Sequence, residues 1–165
     1  MSKPERRSDR EIEAIYERYS KTVYRVCYAY MKQPMDTEDA VQETFFRLIR
    51  KNPQFENAEH EKAWLIRTAS NICKDMLRHW WRRHENLDDH TDLPGTETAE
   101  QSAVMQAVTE LPDKYKTVVY LYYYEGYRSA EIAGILKKPD STVRNYLYEA
   151  RKLLKERLGE FDHEE

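Results

Sequence analysis

Glycine is scarce in this chain, four residues in 165, and few stretches alternate apolar and polar residues as a half-buried strand does. That excludes a fold built on many tight turns. Ala, Leu, Glu, Lys and Arg dominate the long segments, so the expected fold class is all-α. Cysteine is also rare. Cys27 and Cys73 lie inside helical apolar patterns with no neighbouring Cys or His at metal spacing, which reads as buried free thiols of a reducing compartment. No run approaches the roughly 18 apolar residues of a membrane span, and the charged N-terminus is unlike a signal peptide, so a cytoplasmic location is expected. The five histidines (His60, His79, His84, His90 and His163) are scattered, and the chain has no Ser-His-Asp set, metal cluster or phosphate loop. The expectation is a non-enzyme without a cofactor.

Net charge is −3, but the sign is segregated along the chain. Residues 1–84 carry 17 Lys or Arg against 13 Asp or Glu, residues 85–102 carry six acids and no base, and four further acids lie in the final six residues. Two mildly basic bodies flanking an acidic connector suit contact with a polyanion, although mixed charge also serves solubility. The predicted domains are 1–84, a linker over 85–98 containing Leu93-Pro94-Gly95, and 99–165.

Helical periodicity organises both bodies. Ile12, Ile15, Tyr16, Tyr19, Val23, Val26, Cys27 and Tyr30 form the apolar face of a first helix that Pro34 is expected to end. Asp36 is expected to cap the second helix, with Val41, Phe45 and Leu48 as its inner face. A loop from Asn52 to about Asn57 precedes a third helix with Leu65, Ala69, Ile72, Met76 and Trp80 inward, and Trp64 also reads as core. In the second body, Ala103, Ala107, Val108 and Leu111 form one face, and Pro112 opens a helix containing Val118, Val119, Leu121 and Tyr122.

The last third of the chain has the layout of a helix-turn-helix. A short helix with Ile132, Ala133 and Leu136 is followed by a break at Lys137-Lys138-Pro139-Asp140, and a longer helix begins at Ser141. Val143, Leu147, Ala150, Leu154 and Leu158 recur at helical spacing, leaving Ser141, Thr142, Arg144, Asn145, Tyr148 and Lys152 to meet a major groove. In the first body, Asp39, Gln42, Glu43, Phe46 and Arg47 face outward on the second helix. On the third, Arg67, Asn71, Lys74, Arg78 and Arg82 succeed one another at steps of three or four, and Asp75 stands beside Lys74. Lys and Arg hold phosphates, Asn makes paired hydrogen bonds to a base, and an aromatic ring such as that of Trp81 can stack on an unstacked base.

These segments, in order, resemble a known family. Asp39-Ala40-Val41-Gln42-Glu43-Thr44-Phe45, Ala63-Trp64-Leu65-Ile66-Arg67 with Asn71 and Asp75, Leu111-Pro112-Asp113-Lys114-Tyr115-Lys116-Thr117-Val118, Tyr123-Tyr124-Glu125-Gly126, Glu131-Ile132-Ala133 and Thr142-Val143-Arg144 look like the extracytoplasmic-function sigma factors of bacterial RNA polymerase. The resemblance implies two small helical domains, sigma region 2 and sigma region 4, joined by a flexible acidic linker. It implies that Asp39, Gln42, Glu43, Phe46 and Arg47 dock on the β′ clamp helices of core RNA polymerase. It implies that Arg67, Asn71, Lys74, Asp75, Arg78, Trp81 and Arg82 approach the −10 promoter strand, and that the segment Asn52 to Lys62 holds a base flipped out of the duplex. Ser141, Thr142, Arg144, Asn145, Tyr148 and Lys152 would read the −35 element, and region 4 would touch the β flap. An anti-sigma factor is the further partner implied, with no small-molecule substrate and no membrane insertion.

The recognition helix departs from the family pattern, which has Gly at the position of Lys137, Ser at Pro139, Gly at Ser141, and basic residues at Tyr146 and Glu149. Asp140 is expected to replace the missing cap, and Ser129 to cap the preceding helix where Arg128 does not. Two rivals remain at this stage. A helix-turn-helix regulator would bind a symmetric operator without polymerase, whereas an interaction protein would bind polymerase or an inhibitor without reading DNA.

Overall fold

The computed structural model describes residues 4–80 and 98–158, apart from the side chains of Trp80, Arg157 and Leu158. The described residues are helical, without strands, and the chain divides into two compact units, Met1–Asp92 and Leu93–Glu165. Residues 81–97, which include most of the expected linker, lie outside the described residues.

The first unit packs three helices, α1 (Asp9–Met31), α2 (Pro34–Lys51) and α3 (Ala58–Trp80), each against the other two. Helix α1 starts in a reciprocal cap: Glu11 N–H donates to Ser8 Oγ, and Ser8 N–H donates to Glu11 Oε1. It ends at Lys32, whose left-handed backbone (φ 68°) lets its N–H reach Tyr28 O. Only two residues separate it from α2. Pro34 therefore opens α2 rather than merely ending α1, because a missing N–H costs nothing in a first helical turn. Asp36 does not cap: the N-cap position is Gln33, without a side-chain bond, and Asp36 lies in the first turn, where its charge complements the helix dipole.

Val23, Val26, Cys27, Leu48, Leu65, Ile66, Ala69, Ile72 and Cys73 are buried where the helices meet, and complete burial of each large aliphatic side chain contributes about 1.5–3 kcal/mol. Met76 is half-buried at the margin. Tyr16, read as part of the inner face of α1, is 47% exposed, with its ring edge-on to Phe45. Cys73 Sγ approaches Cys27 O at 4.0 Å. Burial, reinforced by Cys73, pushes the Cys27 thiol well above its ordinary range, which suppresses the reactive thiolate.

The second unit contains α4 (Ala99–Thr109), α5 (Asp113–Val119), α6 (Ser129–Leu136) and α7 (Asp140–Leu158). Thr98 and Gln101 form a reciprocal cap on α4. The inner face of α4 is Met105, Ala107, Val108 and the following Leu111, with Ala103 exposed rather than inward. Helix α5 runs without a break into a π turn over Tyr120–Tyr124, closed by Glu125 N–H to Tyr120 O at 3.2 Å. The widened turn buries Tyr120 and lets its hydroxyl donate to Glu125 Oε2 at 2.5 Å. Gly126 follows at φ 82°, a conformation that glycine adopts without steric cost.

Helices α6 and α7 make the helix-turn-helix. Ile132, Val143, Leu147 and Ala150 are buried, with Ala133, Ile135, Leu136 and Leu154 half-buried around them. Ser129 is the first residue of α6 and does not cap it. The N-cap is Arg128, whose side chain has no acceptor, so only half of a capping box exists: Arg128 N–H donates to Glu131 Oε1 at 2.8 Å. Asp140 likewise lies inside α7, where Oδ2 accepts from Arg144 Nη1 and Oδ1 is buried without a partner; it does not supply the expected cap.

Lys137, at φ 57°, occupies the left-handed position ending α6 and is, among the described residues, one of three non-glycine residues with positive φ, beside Lys32 and Asn52, all at helix C-termini. A left-handed L-residue costs roughly 1–2 kcal/mol, partly offset in a glycine replacement by the greater freedom of the unfolded chain. Lys137→Gly should therefore stabilise the second unit by about 0.5–1 kcal/mol. Denaturant unfolding against Lys137→Ala, which keeps the Cβ and should bring no such gain, checks this.

Candidate polymerase and promoter interface

The outer face of α2 is defined by what α1 and α3 leave uncovered. Val41, Phe45 and Leu48 point inward as expected, while Asp39 and Gln42 are exposed and Glu43 and Arg47 half-buried. Phe46 is 54% exposed in their midst. Glu43 Oε2 lies 3.7 Å from Arg47 Nε and 3.2 Å from Arg50 Nη2, forming a charged ridge beside apolar surface. The sequence reading missed Ile49, 44% exposed, Met35, 74% exposed, and Arg50. The signal was available in Phe46 and Ile49, apolar residues three apart and off the inner stripe.

The stripe on α3 is present in part. Asn71, Asp75 and Arg78 are exposed, and Arg67 and Lys74 are half-buried. Burial lowers the Arg67 pKa from its ordinary value, though a guanidinium remains charged. Arg78 Nη2 donates to Asp75 Oδ1, an exposed pair whose disruption costs about 0–1 kcal/mol, so either group is free to exchange its partner for a nucleotide. Trp81 and Arg82 lie outside the described residues.

Ahead of this stripe, the irregular segment is 52–57, and Ala58 to Lys62 already belong to α3. Asn57 Oδ1 accepts from His60 N–H at 2.8 Å and starts that helix. The Phe55 ring stands 5.4 Å from His60, edge-on, and 6.0 Å from Trp64. Trp64 is therefore not core: it is half-buried, and with Phe55 it builds an aromatic wall against the loop. Its place beside Leu65 was misleading because adjacent helical residues point about 100° apart.

On α7, Ser141, Arg144, Asn145, Tyr148 and Lys152 are exposed, and Thr142 is half-buried. Arg144 pairs with Asp140, and Lys152 Nζ lies 3.8 Å from Glu149 Oε1 and 5.2 Å from the centroid of the Tyr148 ring. Glu149 is half-buried, and Tyr146 packs edge-on against Tyr115 at 5.4 Å rather than joining the exposed face. Tyr123, 42% exposed, accepts hydrogen bonds from Arg151 Nε and Nη2 at 3.3 and 3.2 Å. This contact joins the end of the π turn to α7, and the sequence reading did not anticipate it.

Comparison with known proteins gives this arrangement a class. Sigma-70 region 2 matches residues 15–83, and sigma-70 region 4 matches residues 101–154. Two helical units carrying these regions in this order define an initiation factor of the sigma-70 type. The ECF RNA polymerase sigma factor SigW of Bacillus subtilis is 26% identical over 161 residues, covering 85% of this chain and 84% of that protein. The RNA polymerase sigma factor SigV of the same organism is 29% identical over 143 residues, covering 84% and 86%. The sigma factor RpoE of Bartonella quintana, solved in complex with the anti-sigma factor NepR, shares the fold at a TM-score of 0.70 and 19% identity, over 91% of this chain and 98% of that one. The chain belongs to the sigma-70 family, in its extracytoplasmic-function group.

Asn71 is exposed on α3, so its truncation removes no core contact. Asn71→Ala should change unfolding free energy by no more than about 0.5 kcal/mol. A larger loss in chemical denaturation would identify Asn71 as structural.

Proposed function

We propose a division of labour between the two units of this sigma factor, which binds core RNA polymerase, directs promoter-specific transcription initiation and is not an enzyme. The first unit docks on the β′ clamp helices through Asp39, Gln42, Glu43, Phe46 and Arg47, with Ile49 and Arg50 extending the surface. The carrying observation is the exposed Phe46 set within the Glu43, Arg47 and Arg50 ion pairs: an apolar anchor ringed by charge suits a partner face that is apolar at its centre and polar at its rim. Among the described residues, no helix is long and apolar enough to cross a membrane.

In the same unit, Arg67, Asn71, Lys74, Asp75 and Arg78 follow the −10 strand, and the loop 52–57 against Phe55 and Trp64 receives an unstacked base. Unstacking costs a few kcal/mol, so a preformed receptor beside a cationic stripe favours strand separation. Trp81 and Arg82 would continue the stripe. In the second unit, Ser141, Thr142, Arg144, Asn145, Tyr148 and Lys152 read the −35 element, and the unit also meets the β flap. The Arg144–Asp140 pair is exposed and worth less than about 1 kcal/mol, so DNA can displace it. An anti-sigma factor is a further partner in this reading; RpoE of Bartonella quintana is one relative solved with such a protein. A regulator acting without polymerase is disfavoured, because it would leave the match over residues 15–83 without a role.

Run-off transcription with purified core polymerase tests the whole reading. Charge reversal of Glu43 together with Arg47→Glu should abolish core binding while shifting stability by about 0.5 kcal/mol or less. Unchanged co-purification with polymerase would remove α2 as the docking face. Asn71→Ala should slow open-complex formation and relax base preference in the −10 element.

For the −35 element, Asn145→Ala should change the preferred sequence, whereas Glu149→Arg should raise affinity without changing it, by adding a phosphate contact. Transcription from a randomised −35 library reads both; the reverse pattern would mean that a different face of α7 meets the groove.

A further inference from the structure

The residues immediately before α1 are bonded to the far end of α2 and to the loop after it. Arg6 Nη1 donates to Ile49 O at 2.6 Å and Arg50 O at 3.1 Å. These carbonyls belong to the last turn of α2, where a helix leaves its acceptors open and its dipole favours a cation. Arg7 Nη1 donates to Asn52 Oδ1 at 3.1 Å, and Nη2 donates to Pro53 O at 2.5 Å. The same guanidinium stands 5.0 Å from the centroid of the Phe55 ring. Asn52 returns a bond, Nδ2 to Glu5 O at 3.2 Å, and the reciprocal cap at Ser8 ties the other end of the segment to α1.

Other contacts hold the loop to itself and to α3, including the Phe55 ring against His60 and Trp64. Asn52 is left-handed at φ 48°, Pro53 has no N–H to donate, and the bonds within the segment and to α3 include Gln54 Nε2 to Asn52 O, Glu56 N–H to His60 Nδ1, His60 N–H to Asn57 Oδ1 and Glu61 N–H to Asn57 O. Arg7 contacts both halves of it, the polar start at Asn52-Pro53 and the aromatic wall at Phe55. A planar guanidinium can donate from its edge while its face lies on a ring, which an ammonium cannot reproduce.

We propose that Glu5-Arg6-Arg7 is a strap that couples the polymerase-facing helix α2 to the loop 52–57, with Arg7 as a positioning residue that sets which −10 base the loop accepts. The proposal rests on the reading that this loop receives a −10 base. Arg7 is half-buried and committed to the loop, so its role differs from that of a phosphate contact. A phosphate contact would contribute to the salt dependence of DNA binding, whereas a positioning residue alters base preference and leaves that slope unchanged.

The test uses the full chain with core polymerase and compares Arg7→Ala, Arg7→Lys, the exposed control Arg10→Ala, and the double loop variant Gln54→Ala with Glu56→Ala. Core affinity, thermal stability, salt dependence, and initiation from a library randomised through the −10 element are measured for each. Arg7→Ala should keep core affinity and salt slope but lose about tenfold in discrimination at one −10 position, the scale of one charge-assisted hydrogen bond. Arg7→Lys should recover part of that loss, and Arg10→Ala should match the parent. Unchanged preference in Arg7→Ala, a shallower salt slope with preference intact, or a uniform loss on all promoters accompanied by lost stability would each overturn the strap. If the loop variant changes preference while Arg7→Ala does not, only the strap fails; if neither does, the placement of the base in this loop fails with it.

Discussion

Burial of one stripe of α2 between α1 and α3 is the constraint on which the first unit depends. With Ala40, Val41, Thr44, Phe45 and Leu48 committed to the interior, the helix has no rotational freedom left, and whatever occupies its other positions is presented outward at a fixed angle. Phe46 and Ile49 are thereby held exposed, although both would gain from burial. The unfavourable solvation of that surface is small beside the several kcal/mol that a misrotated α2 would lose from its core stripe. Stability and the proposed docking thus use opposite sides of the same helix.

The second unit meets its geometric demands with unusual residues. A lysine holds the left-handed turn between α6 and α7, an arginine without a side-chain acceptor stands at the start of α6, and a π turn ends α5. Each is locally unfavourable compared with the residue that would suit it best. Burial of Ile132, Val143, Leu147 and Ala150, together with the Tyr120 to Glu125 hydrogen bond, holds the helix-turn-helix in spite of them. In both units the ion pairs on the proposed DNA-facing surfaces, Asp75 with Arg78 and Asp140 with Arg144, join near neighbours on one helix. Such pairs keep cations ordered without binding them tightly, which suits groups that exchange a carboxylate for a phosphate.

The inner faces of the helices were legible because periodicity reports directly which positions share a side: the stripes of α1, α2 and α7 came out nearly as read. Errors gathered where a residue has two local meanings. Pro34 both ends one helix and opens the next, and only the two-residue spacing to Met31 decides between them. Asp140 and Ser129 have side chains suited to capping, but each begins its helix one position too late to cap it. Trp64 is hydrophobic enough for the core, yet it lies off the buried face and meets Phe55 instead.

The sequence by itself determined the all-α class, the inner stripe of nearly every helix, and the outward residues of α2, α3 and α7, because these follow from the 3.6-residue period and local chemistry. Only the tertiary structure decided that Arg6 and Arg7 reach Ile49, Arg50, Asn52, Pro53 and Phe55, and that Arg151 reaches Tyr123. Those partners stand tens of residues apart. No periodicity connects them, and long flexible side chains find such acceptors only after helix packing has set the distance.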